Sequence, residues 1–156
     1  QEYVRFGADL ELIKRNFEHV VAEDWIYLNF NQTLCGLTIK TSANLIDYVN
    51  SLRIKRQINH YFSTTVMTYE FLHPKVFGQG FFDTDFKQIL ANMPENTQQE
   101  RSGKEYMLGI QKEINQHEQN TEEIKRLAVY LTELDRRRGT AWQTTFPWLT
   151  NLLETV

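Results

Sequence analysis

Residues 25–39 read WIYLNFNQTLCGLTI and form the longest stretch of the chain with a strand pattern. In its first half, apolar side chains alternate with more polar ones: Ile26, Tyr27, Leu28, Asn29, Phe30 and Asn31. A period of two is typical of a strand with one buried face. We therefore predict a strand over residues 25–34, and the rest of the fold is arranged around it.

The candidate binding residues of this strand are Asn29, Asn31 and Thr33, which share one face near its C-terminal end. In parallel α/β folds, ligands bind at the C-terminal ends of the strands. Buried polar side chains cost free energy unless they are paired. Two interpretations therefore stay open: these side chains hydrogen-bond to neighbouring strands, or they contact a ligand.

The segments on either side predict a parallel α/β unit. Residues 8–22 have the apolar spacing of an amphipathic helix, and residues 42–56 form another, capped by Thr41 or Ser42. Residues 60–71 are rich in β-branched and aromatic side chains and predict a second strand. Helix, strand, helix and strand in alternation indicate a parallel sheet.

From Asp83 onward only helices are predicted. Capping-box patterns begin two of them, at Thr97 and at Asn120, and Gly139 is a natural helix stop. The expected fold class is a helix-rich α/β fold with two βα-type strands followed by a helical region. We predict an α/β segment over residues 1–74 and a helical C-terminal region over residues 75–156, together forming one compact domain.

Length, net charge and hydropathy argue against a nucleic-acid-binding or membrane-spanning protein. The chain has 156 residues, which fits one domain. A net charge of −3 gives no electrostatic reason to expect nucleic acid as a partner. There is no run of about 18 apolar residues that would cross a membrane and no signal-peptide pattern, so we expect no membrane partner and a cytoplasmic location.

The histidines, the single cysteine, the glycine-rich loop and the arginine run are each weak evidence for a catalytic or binding site. The four histidines lack metal-binding spacing, so they are interpreted as structural or surface residues, and no metal site is predicted. Cys35 is the one cysteine, which excludes an internal disulfide, and it is interpreted as a small buried apolar residue.

The glycines of VFGQGFF, residues 76–82, lack phosphate-loop spacing and predict a flexible loop. The arginine run 136–138 suits a helix C-terminus, with an anion-binding patch as the alternative.

Two segments resemble a known family. EYVRFGADLELIKRNFEHVV, residues 2–21, is similar to the segment of twitch-domain radical S-adenosylmethionine proteins in which an "EYIRY" run leads into a helix with "NFE". TELDRRRGTAWQTTFPWL, residues 132–149, is similar to the closing "LDRRRGT…FPE" motif of that family. The strand NFNQTLCGLTI also resembles a late barrel strand of the family. The chain departs from the motif at Trp148, where the family often carries an acid.

The resemblance implies a partial (β/α) barrel. In that family, three cysteines in a C-x-x-x-C-x-x-C loop hold a [4Fe–4S] cluster that binds and cleaves S-adenosylmethionine. This sequence has only Cys35, so the resemblance covers the C-terminal portion of such a protein without its cluster loop. By position, Asn29, Asn31 and Thr33 would face the S-adenosylmethionine or substrate cavity.

The functional hypothesis is a C-terminal fragment that resembles a radical S-adenosylmethionine enzyme of unknown substrate, binds no cofactor by itself and is not catalytic alone. An open sheet edge or a missing N-terminal half predicts self-association, as a dimer. The alternative is a stand-alone, helix-rich α/β module that binds a protein partner without enzymatic activity. A second alternative is a hydrolase that uses Cys35, which would lose its activity when the thiol is alkylated.

Overall fold

A computed structural model describes residues 7–54, 56–63 and 69–154 of the chain. The helices and strands within these ranges follow in chain order: α1 (Leu10–Ala22), β1 (Leu28–Thr33), α2 (Ile39–Arg53), β2 (Ile58–Ser63), α3 (Asp83–Asn92), α4 (Gln98–Ile114), α5 (Thr121–Arg138), α6 (Trp142–Thr145) and α7 (Thr150–Glu154). Short 3-10 helices occur at Glu70–Leu72, Pro74–Phe77 and Pro147–Leu149. The prediction of a helix-rich α/β fold with two strands is confirmed.

The two strands pair in parallel through the α2 crossover. Leu28 lies opposite Ile58, and the register continues without a break to Thr33 opposite Ser63. Leu34 extends the contact, because its backbone N–H donates to the carbonyl oxygen of Ser63 over 2.8 Å. The parallel pairing predicted from the alternation of elements is therefore correct.

The predicted boundaries of β2 and α2 were wrong by several residues. The second strand begins at Ile58 and ends at Ser63, not at 71; residues 64–68 lie outside the described residues, and Glu70–Leu72 is a 3-10 helix. Helix α2 begins at Ile39, three residues before the predicted start. Thr41 and Ser42 do not cap it, because both hydroxyls lie inside the first turn and donate to the carbonyl oxygen of Thr38.

One face of the sheet carries an apolar cluster, which we call the sheet core: Val21, Leu28, Val49, Leu52 and Ile58. Helices α1 and α2 supply its other wall, and the ring of Phe17 in α1 meets that of Phe30 in β1 edge-on at 5.7 Å. Helix α4 lies on the same side, since the position of a Cβ at Gly103 is 4.0 Å from the ring of Phe62. The helices near the sheet thus cover the same face.

A larger apolar cluster, the helical core, joins α2 to the C-terminal helices. Its fully buried members include Ile46, Phe86, Met107, Ile124 and Leu131, which follow the apolar stripes of α2, α3, α4 and α5. Because these side chains come from both sides of residue 74, the two predicted segments share one core. Within the described residues, no helix has the length and apolar character needed to span a membrane.

The predicted helix ends are largely correct. Thr97 and Glu100 form a reciprocal capping box at the start of α4. Asn120 accepts a hydrogen bond from the backbone N–H of Glu123, so half of the second predicted box is present. Gly139 ends α5 with φ of +65°, the left-handed conformation that favours glycine at this position.

The segment VFGQGFF was predicted to be a flexible loop, and this was wrong. Phe77 and Phe82 are buried, and their rings pack with those of Phe81 and Trp148 at centroid distances of 4.8–6.2 Å. Gly78 has φ of +81°, and a Cβ there would lie 2.5 Å from the backbone nitrogen of Gln119. The glycine therefore permits a close approach of two backbone segments, which fixes the loop against the helical core.

Candidate functional site

The second face of the sheet is open and polar. Outward positions of β1 carry Asn29, Asn31 and Thr33, which pair in register with Asn59, Tyr61 and Ser63 of β2. The β1 residues and Tyr61 are exposed, while Asn59 and Ser63 are half-buried. Parallel sheets normally have both faces covered, so an uncovered face with uncharged polar side chains is unusual. We call these six residues the open face.

Hydrogen bonds across the two strands order the open face. The side-chain nitrogen of Asn59 donates to Oδ1 of Asn29 over 3.0 Å. The hydroxyl oxygens of Thr33 and Ser63 lie 3.4 Å apart. These pairs leave further amide donors and acceptors free to meet another molecule, because each carboxamide has two N–H groups and two acceptor lone pairs.

The three residues predicted from β1 therefore share one face, as the alternation required. They are spread along the strand, however: Asn29 is its second residue and only Thr33 is at the C-terminal end. The prediction that the group clusters at that end was wrong, since a strand rises about 3.3 Å per residue and alternate residues lie about 6.6 Å apart.

An open cavity of about 300 Å³ lies at the foot of this face, beside the N-terminal ends of the strands. Its lining residues are Asp24, Tyr27, Leu28, Arg56, Gln57 and Asn59. Arg56 holds the wall together, because its guanidinium donates to the backbone carbonyl oxygens of Glu23 and Ile26. Asn59 belongs to both the cavity and the open face, so the two form one continuous surface.

The opposite, covered face contains a polar cluster around His60. Its Nε2 lies 3.1 Å from Oε1 of the buried Gln32, and its ring stacks on Phe62 with centroids 4.3 Å apart. Burial, with a smaller contribution from the Arg53 cation, lowers the pKa of His60 to about 4. The neighbouring cavity of about 10 Å³ has room for one water at most.

The C-terminal motif forms a compact cap. Asp135 accepts hydrogen bonds from the hydroxyl of Thr140 over 2.6 Å and from the backbone N–H of Trp142 over 2.7 Å. Glu133 accepts hydrogen bonds from Arg136 and Arg137, which lower the pKa of its carboxyl to about 2. Arg136 and Arg137 of the predicted anion patch are therefore already hydrogen-bonded to a carboxylate.

Cys35 lies in the turn between β1 and α2. Its thiol is half-buried, and Sγ accepts a hydrogen bond from the hydroxyl of Thr38 at 3.6 Å. A hydrolase would need a histidine within hydrogen-bond reach of this sulfur. No such contact is present among the described residues, and these residues contain no group of three or more histidine, cysteine or acidic side chains arranged to hold a metal.

Comparison of the chain with protein-family models, with curated proteins and with solved structures finds no match.

Sequence reasoning missed half of the open face. Asn59, Tyr61 and Ser63 alternate with Ile58, His60 and Phe62 in the printed sequence, so the same period of two marked the outward side of β2. That signal was lost because the strand was predicted to start at residue 60. The position of Arg56 had no sequence signal, since the backbone oxygens that it binds come from a segment 30 residues earlier.

Proposed function

We propose that the chain is the C-terminal portion of a radical S-adenosylmethionine enzyme, in which the open face lines the interior of a (β/α) barrel. The observation that carries the proposal is the division of the two sheet faces. Helices α1, α2 and α4 lie on the apolar face, and the six outward side chains on the other face are uncharged and polar. In a (β/α) barrel, helices form the outer ring and the opposite strand face points inward.

The C-terminal motif adds support. The stretch that resembles the closing motif of the family, residues 132–149, makes the Asp135 cap that fixes the start of α6. Trp148, the position at which the sequence departs from the family, packs against Phe77 and Phe81. The centre of its ring is 5.2 Å from the ammonium nitrogen of Lys40. The departure therefore places an aromatic ring against a cation.

The iron–sulfur cluster of the family does not fit the residues of this chain. Such a cluster needs several cysteine thiolates, and Cys35 is the only cysteine in the sequence. Its sulfur accepts a hydrogen bond from the hydroxyl of Thr38. Another part of the protein would have to carry the cluster and supply the radical chemistry. In this proposal, the open face of the present chain binds and orients the substrate.

The test is to read the coding sequence upstream of Gln1 and to express the complete reading frame without oxygen. A C-x-x-x-C-x-x-C loop after an early strand, iron and sulfide in the purified protein, and reductive cleavage of S-adenosylmethionine are the expected results. Changing the three loop cysteines to alanine is the matched control, which should remove iron and activity together. A reading frame without the loop would refute the proposal.

A second candidate is a protein-binding module, which a different observation favours. Three large apolar side chains are strongly exposed around the N-terminal ends of the strands: Trp25 at 75%, Tyr27 at 95% and Ile54 at 89%. Arg56 joins the two segments that carry them. Clusters of exposed apolar side chains often mark interaction surfaces. This candidate becomes the better one if no cluster loop is found upstream.

A further inference from the structure

The open face differs from an ordinary exposed strand face in its charge. All six outward side chains are uncharged, although Asp, Glu, Lys and Arg make up 24% of the chain. Exposed strands in natural proteins usually carry charged side chains, which also prevent edge pairing. A charged ligand placed on this face would find no counter-charge. At its foot, Asp24 and Arg56 contribute one charge of each sign, so the cavity carries no net charge.

The pair Asn29–Asn59 sets the hydrogen-bond pattern of the face. Because the Asn59 amide donates to Oδ1 of Asn29, the side-chain nitrogen of Asn29 remains as a donor and the side-chain oxygen of Asn59 as an acceptor on the same face. A ligand satisfies both at once when it presents a carbonyl oxygen next to an N–H group. Amides have this arrangement, which we call an amide edge, whereas carboxylates offer acceptors only.

The cavity beside this pair gives space for the rest of such a ligand. Its volume of about 300 Å³ is at the lower end of the range for small-molecule sites, about 300–1,000 Å³. Asn59 lines its upper end, and Tyr27 supplies an aromatic ring that is 95% exposed. A flat ring can lie against Tyr27 while the amide edge reaches the asparagine pair.

We propose that the open face binds a small, uncharged molecule through an amide edge held by Asn29 and Asn59, with a ring in the cavity beside Tyr27. S-adenosylmethionine does not fit this description, because it carries a sulfonium and an amino-acid zwitterion. The inference rests on the proposed function for the role of this ligand as the substrate. The binding itself is a property of this chain and is tested on it directly.

The experiment titrates the ¹⁵N-labelled chain with benzamide and, separately, with benzoate. The two probes have the same shape, but benzoate has lost the N–H donor and gained a charge. Benzamide should shift the side-chain amide signals of Asn29 and Asn59 in a saturable manner, and benzoate should bind about three- to tenfold more weakly, as expected for one lost hydrogen bond. Equal binding of the two probes, or no shift of these signals, would overturn the proposal.

Variants locate the site. Asn59→Leu removes the acceptor and should weaken benzamide binding by about three- to tenfold. Asn44→Leu makes the same change on an exposed position of α2, away from the open face, and should bind like the parent chain. Asn29→Leu removes the side-chain N–H donor of the pair and should also weaken benzamide binding. The backbone amide signals in the NMR spectrum of each variant show whether that variant is folded. If Asn59→Leu and Asn44→Leu behave alike, the assignment is wrong.

The result of the benzamide experiment can be distinguished from the result of the test of the proposed function. Benzamide binding needs no iron–sulfur cluster, so it can succeed even when no cluster loop lies upstream. Conversely, cleavage of S-adenosylmethionine by the complete protein, without benzamide binding at Asn29 and Asn59, would support the proposed function and contradict the proposed ligand class.

Discussion

Arg53 and Glu100 form an ion pair that joins α2 to α4, with Nη1 of the arginine 3.2 Å from Oε1 of the glutamate and both side chains only 17% exposed. Arg53 also donates from Nε to the carbonyl oxygen of Ile58, the first residue of β2. Glu100 in turn caps α4 by accepting from the backbone N–H of Thr97. The pair therefore connects the crossover helix, the second strand and the helical region.

The first prediction concerns this connection. Arg53→Met should lower the free energy of unfolding by about 2–4 kcal/mol, because it leaves a largely buried carboxylate without its cation. Urea unfolding followed by circular dichroism gives the measurement. Lys125→Met, which breaks the exposed pair of Lys125 with Glu122, is the matched control and should cost less than about 0.5 kcal/mol. Equal losses in the two variants would show that the Arg53 pair is not a structural connection.

The second prediction concerns the cap at the end of α5. Asp135→Ala removes the acceptor for both Thr140 and the backbone N–H of Trp142, so α6 should detach. We expect a loss of about 2–3 kcal/mol, since hydrogen bonds to a charged acceptor are stronger than neutral ones. Tryptophan fluorescence during urea unfolding reports it, because Trp142 is buried.

Thr140→Val provides the comparison for this cap. It removes only the hydroxyl bond and keeps the bond to Trp142, so the expected loss is about 1 kcal/mol. If this variant is as damaging as Asp135→Ala, the backbone bond to Trp142 contributes nothing and the account of the cap is incorrect.

The elements that sequence could predict are those with local signals. The stripes of α3, α4 and α5 repeat at helical spacing, Thr97 and Glu100 are three residues apart, and Gly139 meets the need for a left-handed residue. Each of these patterns involves residues within one or two turns of a helix. The alternation in β1 likewise predicts that Asn29, Asn31 and Thr33 share one face, and the structure confirms it.

The parts that sequence could not predict depend on distant pairing. Within the described residues, β2 pairs with β1 as far as Ser63, which lies opposite Thr33, 30 residues earlier in the chain. The rings of Phe77 and Phe82 pack against Trp148, near the other end of the chain. The position of Asn59 opposite Asn29 is likewise set by the register of the two strands. Local composition contains none of these relationships.

The third prediction concerns self-association. Within the described residues, β1 pairs with a strand on one side only, so the backbone groups of its other edge are open to another chain. We expect a dimer by light scattering after size-exclusion chromatography. Asn31→Lys places a charge on this strand and should shift the chain toward monomer, while Asn44→Lys on α2 should not. A monodisperse monomer of the parent chain at all concentrations would contradict the expectation.

The last prediction concerns His60 and acid. Its pKa is about 4 in the folded chain and 6.5 when unperturbed, because burial disfavours the charged ring. Between these values the unfolded chain binds the extra proton, so stability is complete above pH 6.5 and declines as the pH falls toward 4, by about 3 kcal/mol in total. His60→Phe keeps a ring beside Phe30 and Phe62 but cannot be protonated. Relative to its value at pH 7, the stability of this variant should therefore fall less than that of the parent chain when both are unfolded in urea at pH 4.5. Proton NMR of the His60 ring gives an independent reading, and a titration midpoint near 6.5 would mean that the ring is hydrated rather than buried.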